Sequence, residues 1–321
     1  MAARQPTSPF SHSPFLVSSP RFLFSLHLSI SLSLSLSLSL SLSLSLSLSL
    51  SLSLSLSLLA AIFLTLGEVN LAVALSRVAH PAHGVVSRAL RVGLMDGDVY
   101  GPSVPILMNL AGLRAETRQE GERERLVPLE NYGIRCMSMG FLMDDKAAAI
   151  WRGPMVSSAI QQLLFMTDWG QLDVLVVDLP PGTGDAQLSL VQSVPLSGAV
   201  VVSTPQLVAL ADVRRAVAMF NKVKTPVLGV LENMSSFECP KCGSVSHIFG
   251  KEGAVREAET QGVPLLGQVP LSEHVRQLSD DGRPVTVVTP EHAASRVFAT
   301  VAQKVTETLF TNAAPPAADP R

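Results

Sequence analysis

Apolar runs alternate with helical stripes along the chain from Gly67 onward, and this alternation predicts an α/β fold. Apolar runs predict strands at 92–95, 134–138, 172–178, 199–203 and 227–231, with shorter ones at 265–269 and 285–288. Apolar residues at helical spacing predict helices at 69–78, 154–166, 185–194, 208–222 and 291–309. Strands that alternate with helices form a mostly parallel, doubly wound sheet with helices on both faces.

Residues 31–58 alternate serine and leucine without a break, which is low complexity rather than a domain. As a strand the pattern would place every leucine on one face, and as a helix it would have no apolar face. As a membrane span it is long enough, but every second residue is a hydroxyl. A repeated TC dinucleotide translates as alternating serine and leucine. We favour this origin, a translated repeat that displaced coding sequence at the start of the domain.

The chain divides into three predicted parts. Residues 1–66 form a low-complexity leader, whose first part is rich in serine and proline and has two arginines but no acid. That composition is typical of a transit peptide, and an arbitrary translated leader is the alternative. Residues 67–310 form the α/β domain, in which 114–125 is expected to be a charged loop. Residues 311–321, rich in alanine and proline, form a disordered tail.

Composition narrows the class of protein. The 321 residues are 47% hydrophobic, with a formal net charge of −2. The first 67 residues contain two arginines and no acidic residue. The predicted domain therefore has a more negative net charge than the whole chain. This argues against nucleic-acid binding, which needs clustered positive charge. Three cysteines, two of them in a C-x-x-C pair, do not make a disulfide framework.

The segment Val174–Asp185 carries the strongest chemical signal. Its apolar run ends in Asp178, and Pro-Pro-Gly-Thr-Gly follows directly. An acid at the carboxyl end of a buried parallel strand lies where α/β sheets bind ligands. In nucleotide hydrolases such an acid holds Mg²⁺, and glycines behind it let backbone N–H groups approach a phosphate. An ordinary turn is the alternative, and two prolines with two glycines directly after the acid argue against it.

A second acidic segment, Asp96–Pro102, follows the apolar run 92–95. Because the carboxyl ends of parallel strands share one edge of the sheet, we expect its carboxylates to lie near Asp178. Capping of a helix is the alternative role for such an acid, and it suits Asp96 better than Asp98.

These segments and several others, in order, resemble the Mrp/NUBP-like branch of the MinD-type P-loop ATPases, a family of iron–sulfur cluster carriers. The others are VNLAVAL at 69–75, NYGIRCMSMGF at 131–141, WRGPMVSSAI at 151–160, GAVVVSTPQ at 198–206, ENMSSFECPKCG at 232–243 and HIFGKEGA at 247–254. The resemblance covers about 67–310 and is greatest to the mitochondrial members that assist assembly of respiratory complex I. Ordered matches across a domain are more specific than one short motif.

The resemblance implies a role for each candidate residue of the nucleotide site. Asp98 would position the attacking water, and Asp178 would hold Mg²⁺ through water. Gly182 and Gly184 would offer backbone contacts to the γ-phosphate of ATP. Asn233 matches a position that contacts adenine, and its two-sided amide suits a purine edge, although an asparagine in a turn is the alternative.

The family's phosphate loop, G-K-G-G-V-G-K-[ST], is missing from this chain. The family places it just before the helix predicted at Val69, where this chain has LLAAIFLTLGE at 58–68, with one glycine and no lysine. No other G-x-x-x-x-G-K-[ST] occurs, because Gly250-Lys251 is followed by Glu252. Both the cradle of backbone donors and the phosphate-binding lysine are therefore absent. The family's first strand precedes that loop, and only 60–66 is apolar enough to replace it.

Cys239 and Cys242 have the spacing of a metal knuckle, in which two thiolates grip one ion or cluster. A closed site usually takes four ligands, and Cys136 is expected inside the sheet as a small buried residue. The resemblance implies that two copies each supply this pair and share a [4Fe–4S] cluster across a homodimer. The alternatives are a structural zinc site, with His247 as a further ligand, and a redox dithiol.

The resemblance thus implies an iron–sulfur carrier of the mitochondrial matrix that delivers [4Fe–4S] clusters to complex I subunits or other apoproteins. ATP and Mg²⁺ are the family's further cofactors, but the missing loop leads us to expect no ATP hydrolysis. A non-enzymatic scaffold, either a pseudo-ATPase or a zinc-binding module, is the alternative. A membrane-positioning ATPase would end in a basic amphipathic helix, which 311–321 is not, so membrane association is expected to be peripheral at most.

Overall fold

The computed structural model describes residues 57–62, 65–80, 88–143, 153–179, 187–188, 190–191 and 194–311. Its strands are β1 (Ser57–Ile62), β2 (Val92–Asp96), β3 (Thr117–Glu120), β4 (Arg123–Leu126), β5 (Leu129–Asn131), β6 (Ile134–Ser138), β7 (Val174–Leu179), β8 (Gly198–Ser203), β9 (Val227–Glu238), β10 (Val245–Ser246) and β11 (Leu265–Leu271).

The helices with defined bounds are α1 (Thr65–Leu75), α2 (Val104–Leu107), α3 (Gly153–Phe165), α4 (Leu207–Lys222), α5 (Gly253–Gln261), α6 (Glu273–Asp280), α7 (Val285–Val288) and α8 (Ala293–Thr311), with a 3₁₀ turn at Met139–Phe141. Residues 187–188 and 190–191 are also helical, within the helix predicted at 185–194. Among the described helices none is long and apolar enough to cross a membrane.

Nine of the strands form one sheet, in the order β10-β9-β8-β1-β7-β2-β6-β5, with β11 also paired to β9. Only β5 and β10 pair antiparallel within it. Every residue of β2, β7 and β8 is buried, as expected of parallel strands covered on both faces. The predicted mostly parallel α/β fold is confirmed.

The order of the strands explains the doubly wound layout. The chain crosses from β1 over β7 to β2 through α1, and it crosses from β8 to β9 through α4 in the opposite direction along the sheet. Right-handed crossovers that run in opposite directions place their helices on opposite faces of a sheet. The sheet is therefore covered by helices on both sides.

The strand β1 lies in the middle of the sheet, between β7 and β8, and pairs parallel with both. It begins at Ser57, inside the serine–leucine repeat and inside the stretch 1–66 predicted as leader. The strand expected at 60–66 thus begins three residues earlier and ends four residues earlier than predicted, and α1 already begins at Thr65. The central strand of the sheet is thus formed by residues that were predicted to belong to the leader. The boundary of the leader stays a prediction.

The strand predicted at 285–288 is wrong, because Val285–Val288 forms the single helical turn α7. Its β-branched residues favour a strand, but the segment packs against α1, α6 and α8 rather than beside a sheet edge. The Asn70 side-chain oxygen accepts hydrogen bonds from the Thr286 backbone N–H at 3.4 Å and its hydroxyl at 3.2 Å. Tertiary packing therefore overrides the local preference.

The charged loop predicted at 114–125 is instead an antiparallel hairpin of β3 and β4. Gly121 makes the turn with φ of +64°, a conformation that suits glycine. Both strands are exposed over most of their length, so the sequence has no apolar alternation there that would predict strands. The tail also begins later than predicted, since Thr311 ends α8; residues 312–321 lie outside the described part.

Candidate functional site

The carboxyl ends of neighbouring strands bring acids together, as the sequence predicts. Asp96 lies opposite Asp178 in the pairing of β2 with β7, and opposite Ser138 in the pairing of β2 with β6. Both acids are almost fully buried. The Gly97 backbone N–H donates to the Asp178 carbonyl at 2.8 Å, which fastens the loop after β2 to β7.

Asp96 is held by three hydrogen bonds. Its Oδ2 accepts from the Ser138 hydroxyl at 3.0 Å and from the Val104 backbone N–H at 3.2 Å, and its Oδ1 accepts from the Asp98 backbone N–H at 3.2 Å. Burial and then the charge of Asp178 nevertheless raise the pKa of Asp96 to about 7. The N-cap of α2 is Ser103, so Asp96 is not the cap residue of a helix that follows it directly; it accepts the first N–H of α2 from eight residues upstream.

Asp98, predicted to position the attacking water, is half-buried in the loop after β2. Its Oδ1 accepts the backbone N–H of Tyr100 at 3.1 Å and of Gly101 at 3.3 Å. This is the local side-chain turn that aspartate commonly makes. The structure therefore gives Asp98 a part in shaping the loop, and its part in activating water stays a prediction.

Glu68 is a third acid at this edge that the sequence argument did not select. It lies in the first turn of α1 and is fully buried. Neither of its oxygens receives a hydrogen bond from a donor in the part of the chain that the structure describes. Burial first, and then the neighbouring Asp178 carboxyl, raise the pKa of Glu68 well above its usual range. Its signal in the sequence is an acid directly before the apolar helical stretch that begins at Val69.

The connection between β1 and α1 is too short for a phosphate cradle. Strand β1 ends at Ile62 and α1 begins at Thr65, so two residues join them. A phosphate loop needs several glycines, whose N–H groups surround the phosphate, and a lysine. The connection between β1 and α1 therefore does not fit the phosphates of a nucleoside triphosphate. Gly182 and Gly184, the predicted γ-phosphate contacts, lie outside the described residues.

A cavity of about 540 Å³ lies beside the start of α1 and contains the predicted adenine contact, Asn233. Its walls come from Gly67, from β9 and from α6 with the segment before it. Asn233 lies inside β9 rather than after a strand, is mostly buried, and accepts the Met234 backbone N–H at 2.9 Å. The volume and the mainly apolar lining resemble those of small-ligand pockets. Contact of Asn233 with a base stays a prediction.

Cys239 and Cys242 lie on the hairpin turn between β9 and β10. The turn is closed by the Cys239 N–H to the Ser244 carbonyl at 2.9 Å and by the Gly243 N–H to the Cys239 carbonyl at 2.8 Å. Cys239 is half-buried and Cys242 is exposed, and both are free thiols. The pair is thus presented at the surface on a rigid turn, as the predicted knuckle requires.

The environment of Cys242 favours its thiolate. The Ser244 hydroxyl lies 3.1 Å from the Cys242 Sγ. Hydrogen bonds from the Ser244 hydroxyl and backbone, together with Cys239, lower the pKa of Cys242. A thiolate is the form that binds metal, so this shift prepares the turn for a metal or cluster. Ser244 is a further residue that the spacing of the cysteines did not identify.

The remaining ligand candidates do not join this pair. Cys136 is fully buried on β6, as expected, and burial raises the pKa of its thiol far above the usual range. The His247 Nδ1 lies 2.9 Å from the Ser235 carbonyl oxygen, so it is engaged by the backbone. Across the described residues no group of three or more histidines, cysteines or acids is placed to hold a metal. Among the described residues of one chain, the knuckle therefore provides two sulfur ligands for a metal or cluster.

The sheet, the paired acids at its carboxyl edge and the cavity beside α1 define the class of protein: an α/β protein with the fold of the P-loop NTPases. The family model described as NUBPL iron-transfer P-loop NTPase matches residues 69–306. The chain belongs to this family.

Curated relatives and solved structures agree with this assignment. The chain is 50% identical over 241 residues to an Arabidopsis thaliana protein named "Iron-sulfur protein required for NADH dehydrogenase, mitochondrial", covering 75% of this chain and 73% of that protein. It is 52% identical over 228 residues to the Dictyostelium discoideum "Iron-sulfur cluster transfer protein NUBPL", covering 71% and 70%.

Among solved structures, a nucleotide-binding protein from Archaeoglobus fulgidus in complex with ADP is 34% identical, with a TM-score of 0.58 over 71% of this chain and 87% of that one. The cell division ATPase MinD of Pyrococcus furiosus, 16% identical with a TM-score of 0.52 over 78% and 98%, shares the fold.

Proposed function

We propose that this protein carries a [4Fe–4S] cluster on Cys239 and Cys242 and delivers it to apoproteins, the iron–sulfur subunits of complex I among them. The observation that carries the proposal is the pair of free thiols on the exposed hairpin turn after β9, within the matched family region. The names of the relatives, an iron–sulfur protein required for NADH dehydrogenase and a cluster transfer protein, support it. They also support a mitochondrial location.

The proposed site needs two copies of the chain. A [4Fe–4S] cluster usually takes four cysteine ligands, and each described chain offers two at the knuckle. Val245 and Ile248, directly after the knuckle, are more than half exposed. Such apolar residues beside the sulfurs are suited to burial against a second knuckle. We therefore propose a homodimer that shares one cluster.

A second apolar pair adjoins this surface. Leu207 and Val208, at the start of α4, are 79% and 81% exposed. A side chain at Gly253 would come within 2.1 Å of the Pro205 carbonyl oxygen, so the backbone before α4 packs tightly on the segment after the knuckle. Both apolar pairs thus belong to neighbouring segments, which supports a common contact surface.

We propose a smaller role for nucleotide in this protein than the family resemblance implies. The cavity with Asn233 has room for a base, but no phosphate cradle joins β1 to α1. We therefore propose that the chain carries its cluster without hydrolysing ATP, and that any Mg²⁺ at Asp178 is bound weakly.

Anaerobic reconstitution with iron and sulfide tests cluster carriage. The full chain should take up about four iron ions per dimer and develop broad visible absorption, as expected of thiolate-ligated clusters. The variant Cys239→Ser/Cys242→Ser should lose both the iron and the dimer. Cys136→Ala, which removes the buried thiol outside the knuckle, is the matched control and should load normally.

Two results would overturn the proposal. The first is iron content unchanged in folded Cys239→Ser/Cys242→Ser protein. The second is colourless parent protein that takes up zinc in place of iron, which would instead support the scaffold alternative.

A further inference from the structure

A second cavity, of about 490 Å³, opens beside the knuckle. Cys239 lines it, whereas Cys242 does not. The other lining residues come from β9 and its turn, from α6 and the segment before it, and from the start of α8. The cavity lies within the range of volumes that hold small ligands or short peptides.

The cavity is lined with hydrogen-bond donors, acceptors and apolar side chains, which are the kinds of group that contact peptides. Ser272 precedes α6 without a side-chain cap, so the first N–H groups of that helix are available to carbonyl or carboxylate oxygens. Glu238 and Glu273 can accept hydrogen bonds from N–H groups. Leu271 and Phe237 supply an apolar wall. Donors, acceptors and an apolar surface therefore meet beside one sulfur.

Two histidines of the cavity are fixed in place. His292 accepts the Ala294 backbone N–H through Nδ1 at 3.2 Å, and its Nε2 lies 3.3 Å from the Ser272 hydroxyl. The His274 Nε2 lies 3.0 Å from the Thr289 hydroxyl, and the two rings are 5.6 Å apart. Each imidazole thus has a polar contact outside the space beside Cys239.

The two sulfurs of the knuckle thus have different surroundings. Cys242 is held by Ser244 on the exposed side of the turn, at 3.1 Å. Cys239 is half-buried and borders open space large enough for another group. A replacement ligand that approaches the knuckle through this cavity meets Cys239 first.

We propose that this cavity admits the thiol that takes over the cluster, a cysteine side chain on a short stretch of peptide, and that Cys239 is the ligand it displaces. The inference rests on the proposed cluster carriage. The source of the thiol is either a cysteine-bearing segment of the recipient protein or a tripeptide thiol such as glutathione.

The exchange is balanced without a redox step. The incoming thiol loses its proton and its sulfur bonds to the iron that Cys239 holds. The bond between iron and the Cys239 sulfur breaks, and that sulfur takes up the proton. Cys242, which does not line the cavity, holds the cluster in the meantime. Iron and sulfide keep their oxidation states throughout.

Filling the cavity tests this inference. Ala293 is exposed at the first turn of α8 and lines the cavity, so Ala293→Trp should block it without disturbing the core. Gln277→Trp, from the exposed face of α6, blocks it from a second side. Ala299→Trp is the matched control, because Ala299 is also exposed on α8 but lies outside this cavity.

The first readout is binding to the cluster-free full chain, measured by calorimetry. The probes are S-methylglutathione and a hexapeptide with one S-methylcysteine, which have the peptide but no free thiol. At least one should bind, and both blocking variants should weaken it at least about tenfold, which corresponds to 1.4 kcal/mol. The probe that binds identifies the source of the thiol. Binding of neither probe, or equal binding to all variants, would overturn the inference.

The second readout is cluster transfer from loaded protein, with glutathione or an apo-ferredoxin as acceptor. The blocking variants should load iron as the parent does, yet transfer at least about tenfold more slowly to one or both acceptors. Ala299→Trp should transfer at the parental rate. Normal loading with parental transfer in both blocking variants would refute the cavity's role. Failure of the parent to load iron would instead refute the proposed function, so the two failures are separate.

Discussion

At the residue scale, a buried acid at the start of α1 should make the stability of the protein depend on pH. Glu68 is completely buried beside Asp178, and its pKa is raised well above the usual range by burial and by that neighbour. The folded protein therefore holds a proton on Glu68 that the unfolded chain releases above about pH 4. Stability should consequently fall as the pH rises from there towards the folded-state pKa.

Replacement of Glu68 by glutamine should remove this pH dependence. Glutamine is close in shape to the protonated acid and releases no proton on unfolding. The stabilisation by Glu68→Gln should be near zero at about pH 4 and grow by roughly 1.4 kcal/mol per pH unit until the folded-state pKa is reached. Urea unfolding at several pH values measures it. The exposed Glu291→Gln is the control, and parallel pH profiles for parent and Glu68→Gln would contradict the prediction.

At the scale of the element, the hairpin of β9 and β10 both positions the two cysteine sulfurs and favours the thiolate of one of them. Backbone hydrogen bonds close the turn, and Ser244, two residues past Cys242, supplies the side chain that lowers the thiol pKa. The turn alone fixes where the sulfurs lie. The serine determines how readily one of them becomes a thiolate.

Removal of the Ser244 hydroxyl should therefore raise the pKa of Cys242. In cluster-free protein, Ser244→Ala should slow alkylation of Cys242 by iodoacetamide at neutral pH several-fold, because the thiolate is the reacting form. Peptide mapping by mass spectrometry separates Cys242 from Cys239. Ser246→Ala changes a serine of the same hairpin that does not touch the sulfur and should react like the parent. Equal rates in all three proteins would show that Ser244 is unimportant.

Elements with strong local signals were predicted well. The strands β2, β7 and β8 lie within two residues of their predicted bounds, because strands buried on both faces are continuous apolar runs. Asp178 and the cysteine turn also follow from local sequence. By contrast, α7 and the grouping of His274 with Cys239 depend on contacts between distant segments, which a single sequence does not encode locally. The β3–β4 hairpin is local, but its strands are mostly exposed and therefore lack the apolar alternation that predicts a strand.

At the scale of the whole molecule, the protein keeps the sheet and acid edge of a nucleotide hydrolase around a shortened first connection. Two residues, Phe63 and Leu64, stand between β1 and α1. Purified protein should therefore give no ATP turnover above a blank, and Asp98→Asn should change nothing, as followed by phosphate release. Turnover in the parent that Asp98→Asn abolishes would contradict this.

The central place of β1 also limits where the chain can be cut without loss of the sheet. Ser57–Ile62 pairs with β7 on one side and β8 on the other, so no other described strand joins those two. A cut after Ile62 would remove the strand that joins the two halves of the sheet, whereas a cut before Ser57 would leave it in place. Any shortened form that keeps the whole sheet therefore retains Ser57 and Leu58, the last two residues of the serine–leucine repeat.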